Sequence, residues 1–154
     1  APVVRERKLR IERPASAPRL GQQFPQFSIA TPHGELTSRG LTGRIAVITF
    51  WDADCGECLQ MLPAFGSLAR RLRAEGRDMM VVGVSVDSDP DAFERVYQQG
   101  QRWAELVWAP ALQETMAVTD LPTTWVIDTA GVARYYVDHW LSVEELETYV
   151  RDVD

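Results

Sequence analysis

The chain contains two cysteines, and both lie in the segment Cys55-Gly56-Glu57-Cys58. A spacing of i and i+3 at the start of a helix places two side chains within one turn, close enough to form a disulfide. Such a helix start also directs free N–H groups and the positive end of the helix dipole at the first sulfur, which stabilises a thiolate. Because the thiolate is the form that attacks disulfides, the segment predicts reversible thiol–disulfide exchange.

Strands and a helix on either side of this segment must position the two sulfur atoms. The apolar, β-branched run Ile45–Trp51 leads into the cysteine segment and predicts a central strand. From Cys58 to Gly76 apolar residues recur at intervals of three and four, which predicts an amphipathic helix with Pro63 inside it. The apolar run Met79–Val86 predicts a second strand, buried on both faces. Two such strands joined by a helix form a right-handed parallel unit, so the predicted fold class is α/β.

Further elements extend this unit in both directions. The sequence predicts an N-terminal hairpin at 24–37, an α/β segment at 87–118, two antiparallel strands at 125–137 and a last helix that begins at the capping box 142–145. Within the α/β segment we expect a helix over 90–99, a strand over 103–108 and a short helix over 112–118. The segment Leu121-Pro122-Thr123-Thr124 stands just before the antiparallel strands, where a cis X–Pro bond would bring a free backbone edge to the disulfide.

Charge is unevenly distributed along the chain. The formal net charge is −6, and residues 1–20 contribute +4 of it, which leaves −10 for residues 21–154. An acidic body argues against nucleic-acid binding. With 154 residues and 45% hydrophobic content the chain can bury one core, so we predict one domain at 21–154 after a flexible basic arm at 1–20. No apolar stretch is long enough to span a membrane, and any membrane tether is expected outside this sequence.

With these motifs the sequence resembles the thioredoxin superfamily, and within it the TlpA/ResA-like and cytochrome-c-maturation thiol–disulfide reductases. The similarity extends from about Leu20 to Val153. It rests on the cysteine and proline segments, on Phe50-Trp51 before the cysteines, and on the N-terminal segment Gly21-x-x-Phe24-Pro25-x-Phe27. The resemblance implies a thioredoxin-like mixed β-sheet flanked by helices, with an N-terminal β-hairpin and an α/β insertion before the cis-proline loop.

The candidate site residues have distinct expected roles. We expect Cys55 to attack a partner disulfide as the nucleophile and Cys58 to resolve the mixed disulfide. By resemblance, Pro122 is the cis-proline that holds the substrate backbone. Apart from the redox-active disulfide, we predict no cofactor and no metal. The remaining candidates for substrate contact are Trp51, Leu121 and Thr123, although a tryptophan on a strand is usually a packed core residue.

The sequence departs from the family's pattern around the cysteines. Asp54 takes the place of a tryptophan before the first cysteine. The two positions where relatives carry a proton-accepting carboxylate hold Met61 and Thr49. Asp54 and Glu57 are the nearest acidic residues, and beside an exposed thiol we expect solvated charges that oppose a thiolate and modulate the site. The proton acceptor for Cys58 is therefore left unassigned.

The resemblance also implies where the protein works and what it meets. It implies an extracytoplasmic, periplasmic location, often with a membrane anchor. The implied partners are protein thiols and disulfides and an upstream electron donor. We expect a monomer that acts as a reductant.

Two other functions stay open. The first is a copper-handling module that combines the cysteine pair with His139. The second is a peroxiredoxin-type peroxidase, which needs a hydroxyl and an arginine around its reacting cysteine. Asp52 stands where a threonine is expected for that chemistry, and this argues against the second alternative.

Overall fold

The computed structural model describes residues 17–154. Its strands are β1 (Ser28–Thr31), β2 (Gly34–Thr37), β3 (Ile45–Trp51), β4 (Met79–Ser85), β5 (Glu105–Trp108), β6 (Thr123–Ile127) and β7 (Ala133–Val137). Its helices are α1 (Gly56–Ala74), α2 (Pro90–Gly100), α3 (Leu112–Thr115) and α4 (Val143–Val153), with a 3-10 turn at Arg39–Leu41. No helix in this range combines the length and the apolar composition needed to cross a bilayer.

A five-stranded mixed sheet in the order β5-β4-β3-β6-β7 forms the centre of the fold. β3 pairs in parallel with β4, and β4 pairs in parallel with β5. β6 runs antiparallel to β3, and β7 runs antiparallel to β6. β1 and β2 form a separate antiparallel hairpin. The predicted α/β class, with a hairpin ahead of the sheet and an insertion before the proline loop, is confirmed.

Apolar clusters cover both faces of the sheet, and β3 contributes to each. Ala46, Ile48 and Phe50 pack into the cluster that includes residues of the N-terminal hairpin. Ile45 and Val47 face the cluster formed with α1 and α4. All seven residues of β3 are buried. A strand covered on both faces has no solvent side for polar residues, which explains its continuous apolar sequence.

Two elements of the α/β insertion are shorter than the sequence predicts. The edge strand begins at Glu105, because a turn closed by a hydrogen bond from the Trp103 N–H to the Gly100 carbonyl at 3.0 Å precedes it. The short helix α3 ends at Thr115, since Ala117 has a φ of 57°. A residue in the left-handed region ends a right-handed helix.

Two residues of the predicted flexible arm, Ala17 and Pro18, are buried in the structure. Ala17 is 4% exposed. The Gly21 N–H donates to the carbonyl of Ala133 in β7 at 2.8 Å, and the Ala133 N–H donates to the Gln22 carbonyl at 3.0 Å. These bonds tie the start of the domain to β7, and the burial of Ala17 shows that packing begins before residue 21. The prediction for residues 1–16 lies outside the described residues.

Ion pairs fasten the last helix to the helix that carries Cys58. Glu147 of α4 accepts hydrogen bonds from Arg71 of α1 at 2.7 Å and from Arg151 at 2.7 Å. These two guanidinium groups lower the pKa of Glu147 to about 2. Arg151 also lies 3.1 Å from Glu75 of α1. Charge therefore reinforces the apolar contact between α1 and α4.

Candidate active site

The cysteine segment lies between the end of β3 and the first turn of α1. Cys55 is the N-cap of α1, and its Sγ accepts a hydrogen bond from the Cys58 N–H at 3.1 Å. The two cysteines form a disulfide, with their Cα atoms 5.3 Å apart. The first sulfur thus occupies the positive end of a 19-residue helix, where free N–H groups stabilise a thiolate after reduction.

The two cysteines differ in their exposure to solvent. Cys55 is partly exposed, whereas Cys58 is 0% exposed. Trp51, Leu62 and Leu106 form a buried cluster with Cys58. A partner can therefore reach the first sulfur and not the second, which fits a nucleophile followed by a resolving cysteine.

The proline loop lies beside the cysteine pair. The Leu121–Pro122 peptide bond is cis, as the resemblance implies, and Pro122 is buried. Leu121 packs, like Cys55, against the buried cluster around Cys58. Thr123 is 1% exposed, and its hydroxyl donates to the Asp120 carbonyl at 2.5 Å. Since this side chain is used inside the loop, a substrate contact at position 123 has to come from the backbone.

Trp51 is a packing residue in the structure. Its side chain is 0% exposed, and its ring centroid lies 6.1 Å from that of Phe93 in α2. A Cβ on Gly83 would come within 3.1 Å of the Trp51 Nε1, so the backbone of β4 closes over the indole. This burial leaves the side chain no surface to offer a partner. Its assignment to substrate binding is therefore corrected: Trp51 forms part of the floor beneath the disulfide.

The acidic side chains near the cysteines are exposed to solvent. The two positions where relatives carry a proton-accepting carboxylate hold neutral residues in this chain. Asp54 and Glu57 are both exposed. Met61 is 1% exposed and Thr49 is 0% exposed. The Thr49 Oγ1 lies 3.1 Å from the Thr124 Oγ1, so the two buried hydroxyls satisfy each other. Neither position can accept a proton from Cys58.

Asp87, the first residue of the predicted α/β segment, supports the turn before Cys55. It is 8% exposed, and its carboxylate accepts hydrogen bonds from the Ala53 N–H at 3.0 Å and from the Ser85 hydroxyl at 2.6 Å. Capping of α2 falls instead to Asp89. The position of Asp87 in the sequence could have indicated this role. An acidic residue directly after a buried parallel strand lies at the same sheet edge as the end of β3.

Replacing Asp87 by alanine is expected to destabilise the protein and loosen the cysteine turn. Loss of the acceptor leaves the partly buried Ala53 N–H and the buried Ser85 hydroxyl without an acceptor, which costs about 1 to 3 kcal/mol. Urea denaturation measures this loss. Insulin reduction per folded molecule measures exchange, which we expect to slow about tenfold because the nucleophile is less well positioned.

Asp89→Ala is the matched control for this variant. Loss of the N-cap costs about 1 kcal/mol, and we expect no change in the exchange rate of the folded molecules. Equal exchange rates in the two variants would contradict the positioning role of Asp87.

The histidines lie apart from the cysteine pair. Within residues 17–154, no three histidine, cysteine, aspartate or glutamate side chains are grouped as a candidate metal site. His139 is exposed, and its Nδ1 lies 3.3 Å from the Asp138 Oδ1. His33 is exposed in the turn between β1 and β2. The described residues thus offer no ready ligand set for the copper alternative.

Sequence comparison gives related proteins. Residues 20–136 match the model of the AhpC/TSA family. The thioredoxin-like protein YneN of Bacillus subtilis (strain 168) is 30% identical over 122 residues, which cover 73% of this chain and 67% of YneN. The thiol:disulfide interchange protein DsbE of Xylella fastidiosa (strain 9a5c) is 27% identical over 124 residues, covering 76% of this chain and 60% of DsbE. The chain therefore spans about two-thirds of the length of these relatives.

Comparison with solved structures supports the fold. A protein of Chlorobium tepidum, provisionally assigned as the thiol:disulfide interchange protein DsbE, superposes with a TM-score of 0.76. It is 22% identical, and the match covers 89% of this chain and 99% of that one. The two proteins therefore share the same overall fold.

Proposed function

Because the chain belongs to the AhpC/TSA family and its cysteine pair is a thiol–disulfide exchange centre, we propose that it reduces disulfides in partner proteins outside the cytoplasm. The protein is then a thiol–disulfide oxidoreductase. One observation carries the proposal: a partly exposed Cys55 at the N-cap of α1 is joined to a buried Cys58. An exposed first sulfur and a covered second one are what two-step exchange requires.

Each exchange step has a defined bond change. The Cys55 thiolate attacks one sulfur of the partner's disulfide, so a mixed disulfide forms and the partner's second sulfur leaves as a thiolate. Cys58 then attacks the Cys55 sulfur, which forms the Cys55–Cys58 disulfide and releases the first sulfur of the partner. Two electrons pass to the partner, and an upstream donor must reduce Cys55–Cys58 again.

Deprotonation of Cys58 needs a base, and the apolar cluster around this residue disfavours the thiolate. Met61 and Thr49 supply no carboxylate. The thiolate that the partner releases in the first step lies at the same site and is a suitable acceptor for this proton. In this scheme the substrate supplies the base that the chain lacks.

The proline loop is proposed to hold the partner chain. Leu121 and Cys55 pack against the same buried cluster, and the backbone from Leu121 to Thr123 carries the groups that an extended peptide can pair with. Pro122 at the centre of the loop has no backbone N–H, so the loop offers the partner chain one hydrogen-bond donor fewer than another residue would. Hydrogen bonds to a partner's backbone do not depend on its side chains, so this loop suits a range of protein substrates.

We infer the direction of electron flow from the effect that the exposed carboxylates are expected to have on the reduction potential. Asp54 and Glu57 flank the nucleophile and oppose its thiolate, although as exposed charges each by no more than about 1 kcal/mol. A less stabilised thiolate means a less stable reduced form and a lower reduction potential. We therefore expect a potential nearer that of thioredoxin, about −270 mV, than that of DsbA, about −120 mV.

Asp54→Asn is expected to raise the reduction potential, because removing the charge stabilises the thiolate and with it the reduced form. An effect of about 1 kcal/mol corresponds to about 20 mV for a two-electron couple. Equilibration with glutathione measures the potential of the wild type and the variant. Glu35→Gln in β2, an exposed carboxylate outside the cysteine segment, is the control and should leave the potential unchanged.

A wild-type potential near that of DsbA would overturn the reductant assignment. An unchanged potential in Asp54→Asn would show that this carboxylate does not set the redox poise. Consumption of hydrogen peroxide at a rate that exceeds insulin reduction would favour the peroxidase alternative. Stoichiometric copper binding that depends on His139 would favour the metal-handling alternative.

The extracytoplasmic location rests on the resemblance to TlpA-like reductases. In that setting the substrates are exported proteins whose disulfides must be opened. The physiological partner is identified by the trapping experiment described in the Discussion.

A further inference from the structure

A cavity of about 270 Å³ opens between the second half of α1, the turn after α2 and the beginning of β3 and β4. Glu105 is the one carboxylate among its lining residues. Residues 21–154 contain ten arginines, and four of them line this cavity. These four, which define what we call the arginine pocket, are Arg44, Arg70, Arg73 and Arg102.

Close backbone packing holds the walls of the arginine pocket in place. Arg70 of α1 donates to the carbonyl of Arg102 at 2.8 Å, which joins the helix to the turn after α2. Gly66 lies against the same turn, and a Cβ at this position would come within 2.1 Å of the Trp103 carbonyl oxygen. Arg44 is held by Asp78 at 2.9 Å. The pocket is therefore largely preformed, which lowers the entropy cost of binding a ligand.

Several guanidinium donors in the pocket lack a partner. The side chains of Arg73 and Arg102 make no hydrogen bond or ion pair with another residue of the described chain. The Nε of Arg44 is buried and also has no partner within residues 17–154. A buried N–H group without an acceptor is unfavourable, and an anion in the pocket would satisfy it.

The charge of the pocket is opposite to that of the body around it. Four lining arginines face one lining carboxylate, while residues 21–154 carry a formal charge of −10. Asp78 lies beside Arg44 and offsets one further positive charge. An excess of positive charge remains at this one place, and an acidic surface around it would repel anions elsewhere.

We propose that the arginine pocket binds an oxyanion of the phosphate class, free or as the headgroup of an ester. The planar guanidinium fork donates paired N–H bonds to phosphate oxygens. Arg44 precedes β3 and Cys55 follows it, and a seven-residue strand spans about 20 Å. A ligand in the pocket does not reach the disulfide. The proposal is therefore independent of the proposed function, and binding is its readout.

The test compares three forms of the full chain: the wild type, the double variant Arg73→Gln/Arg102→Gln, and Arg95→Gln. The double variant removes no side-chain hydrogen bond or ion pair among the described residues, so we expect it to fold. Arg95 is an exposed residue of α2 without a partner in residues 17–154, and its substitution controls for loss of charge alone. Inorganic phosphate is titrated by calorimetry. Vesicles of phosphatidylcholine with and without phosphatidylglycerol are tested by flotation.

Saturable binding in either arm by the wild type and by Arg95→Gln, weakened at least about tenfold in the double variant, supports the proposal. Binding of inorganic phosphate identifies a free anion. Binding only to phosphatidylglycerol vesicles identifies a lipid headgroup. Absence of saturable binding in both arms, or equal binding by all three proteins, overturns the proposal. The rate of insulin reduction should be the same in all three forms, which separates this result from the test of disulfide exchange.

Discussion

Cys55→Ser is expected to reduce the rate of insulin reduction by about a thousandfold or more, because a serine hydroxyl is not ionised at neutral pH and cannot open a disulfide. Cys58 cannot replace the lost nucleophile, since it is 0% exposed. The fold should be unaffected, and circular dichroism checks this. Residual activity above about a tenth of the wild type would contradict the assignment of the nucleophile.

The complementary variant Cys58→Ser should retain the first step and lose the second. Without the resolving thiol the mixed disulfide between Cys55 and the partner persists. A non-reducing gel of the native host's extract, followed by mass spectrometry of the bands, identifies the partner. Cys55→Ser/Cys58→Ser is the control and should trap nothing. Capture of exported proteins would support the proposed location, while capture of cytoplasmic proteins alone would contradict it.

The parts of the fold that follow from local pattern were predictable from the sequence. The run Ile45–Trp51 is apolar throughout because both faces of β3 are covered, and α1 follows from its apolar spacing. The cysteine spacing defines the chemistry without knowledge of the tertiary structure. The capping box at Ser142 begins α4 as expected, since its two reciprocal hydrogen bonds involve only neighbouring residues.

The residues that hold the cysteine turn in place are brought to it by pairing between strands that are distant in the sequence. The sequence does not specify this pairing. Asp87 can bond to the Ala53 N–H because β3 and β4 pair in parallel with Trp51 opposite Ser85. The same register closes Gly83 over the Trp51 indole, so a residue that the sequence offers both as a substrate contact and as a packed core residue is buried in the core. Side chains that support a site from behind are therefore found only once the strand register is known.

The arginine pocket arises in the same way. Its members come from the residue before β3, from α1 and from the turn after α2. No local spacing connects Arg44 to Arg70 or to Arg102. What the sequence does contain is composition, since arginine supplies every positive charge in residues 21–154. Arginine is favoured over lysine where planar, paired hydrogen bonds to an oxyanion are made.

The turn after α2 matters to both the fold and the pocket, and its contact with α1 depends on one glycine. A Cβ at position 66 would lie 2.1 Å from the Trp103 carbonyl oxygen and 2.8 Å from its carbonyl carbon. Both are backbone atoms, so no side-chain rotation can relieve the overlap. In a helix interior alanine is favoured over glycine by up to about 1 kcal/mol, which opposes the effect of the clash.

Gly66→Ala is nevertheless expected to destabilise the protein by about 3 kcal/mol, the upper part of the range for overpacking, because the turn must move away from α1. Urea denaturation gives the change in the free energy of unfolding. Gly56→Ala in the same helix is the matched control, since a Cβ there meets nothing within 4 Å. At position 56 no clash opposes the substitution. We therefore expect only the stabilisation that comes from the smaller conformational freedom of the unfolded chain, up to about 1 kcal/mol. If both substitutions stabilised the protein, helix propensity would outweigh the contact, and the turn after α2 would not be held by its approach to Gly66.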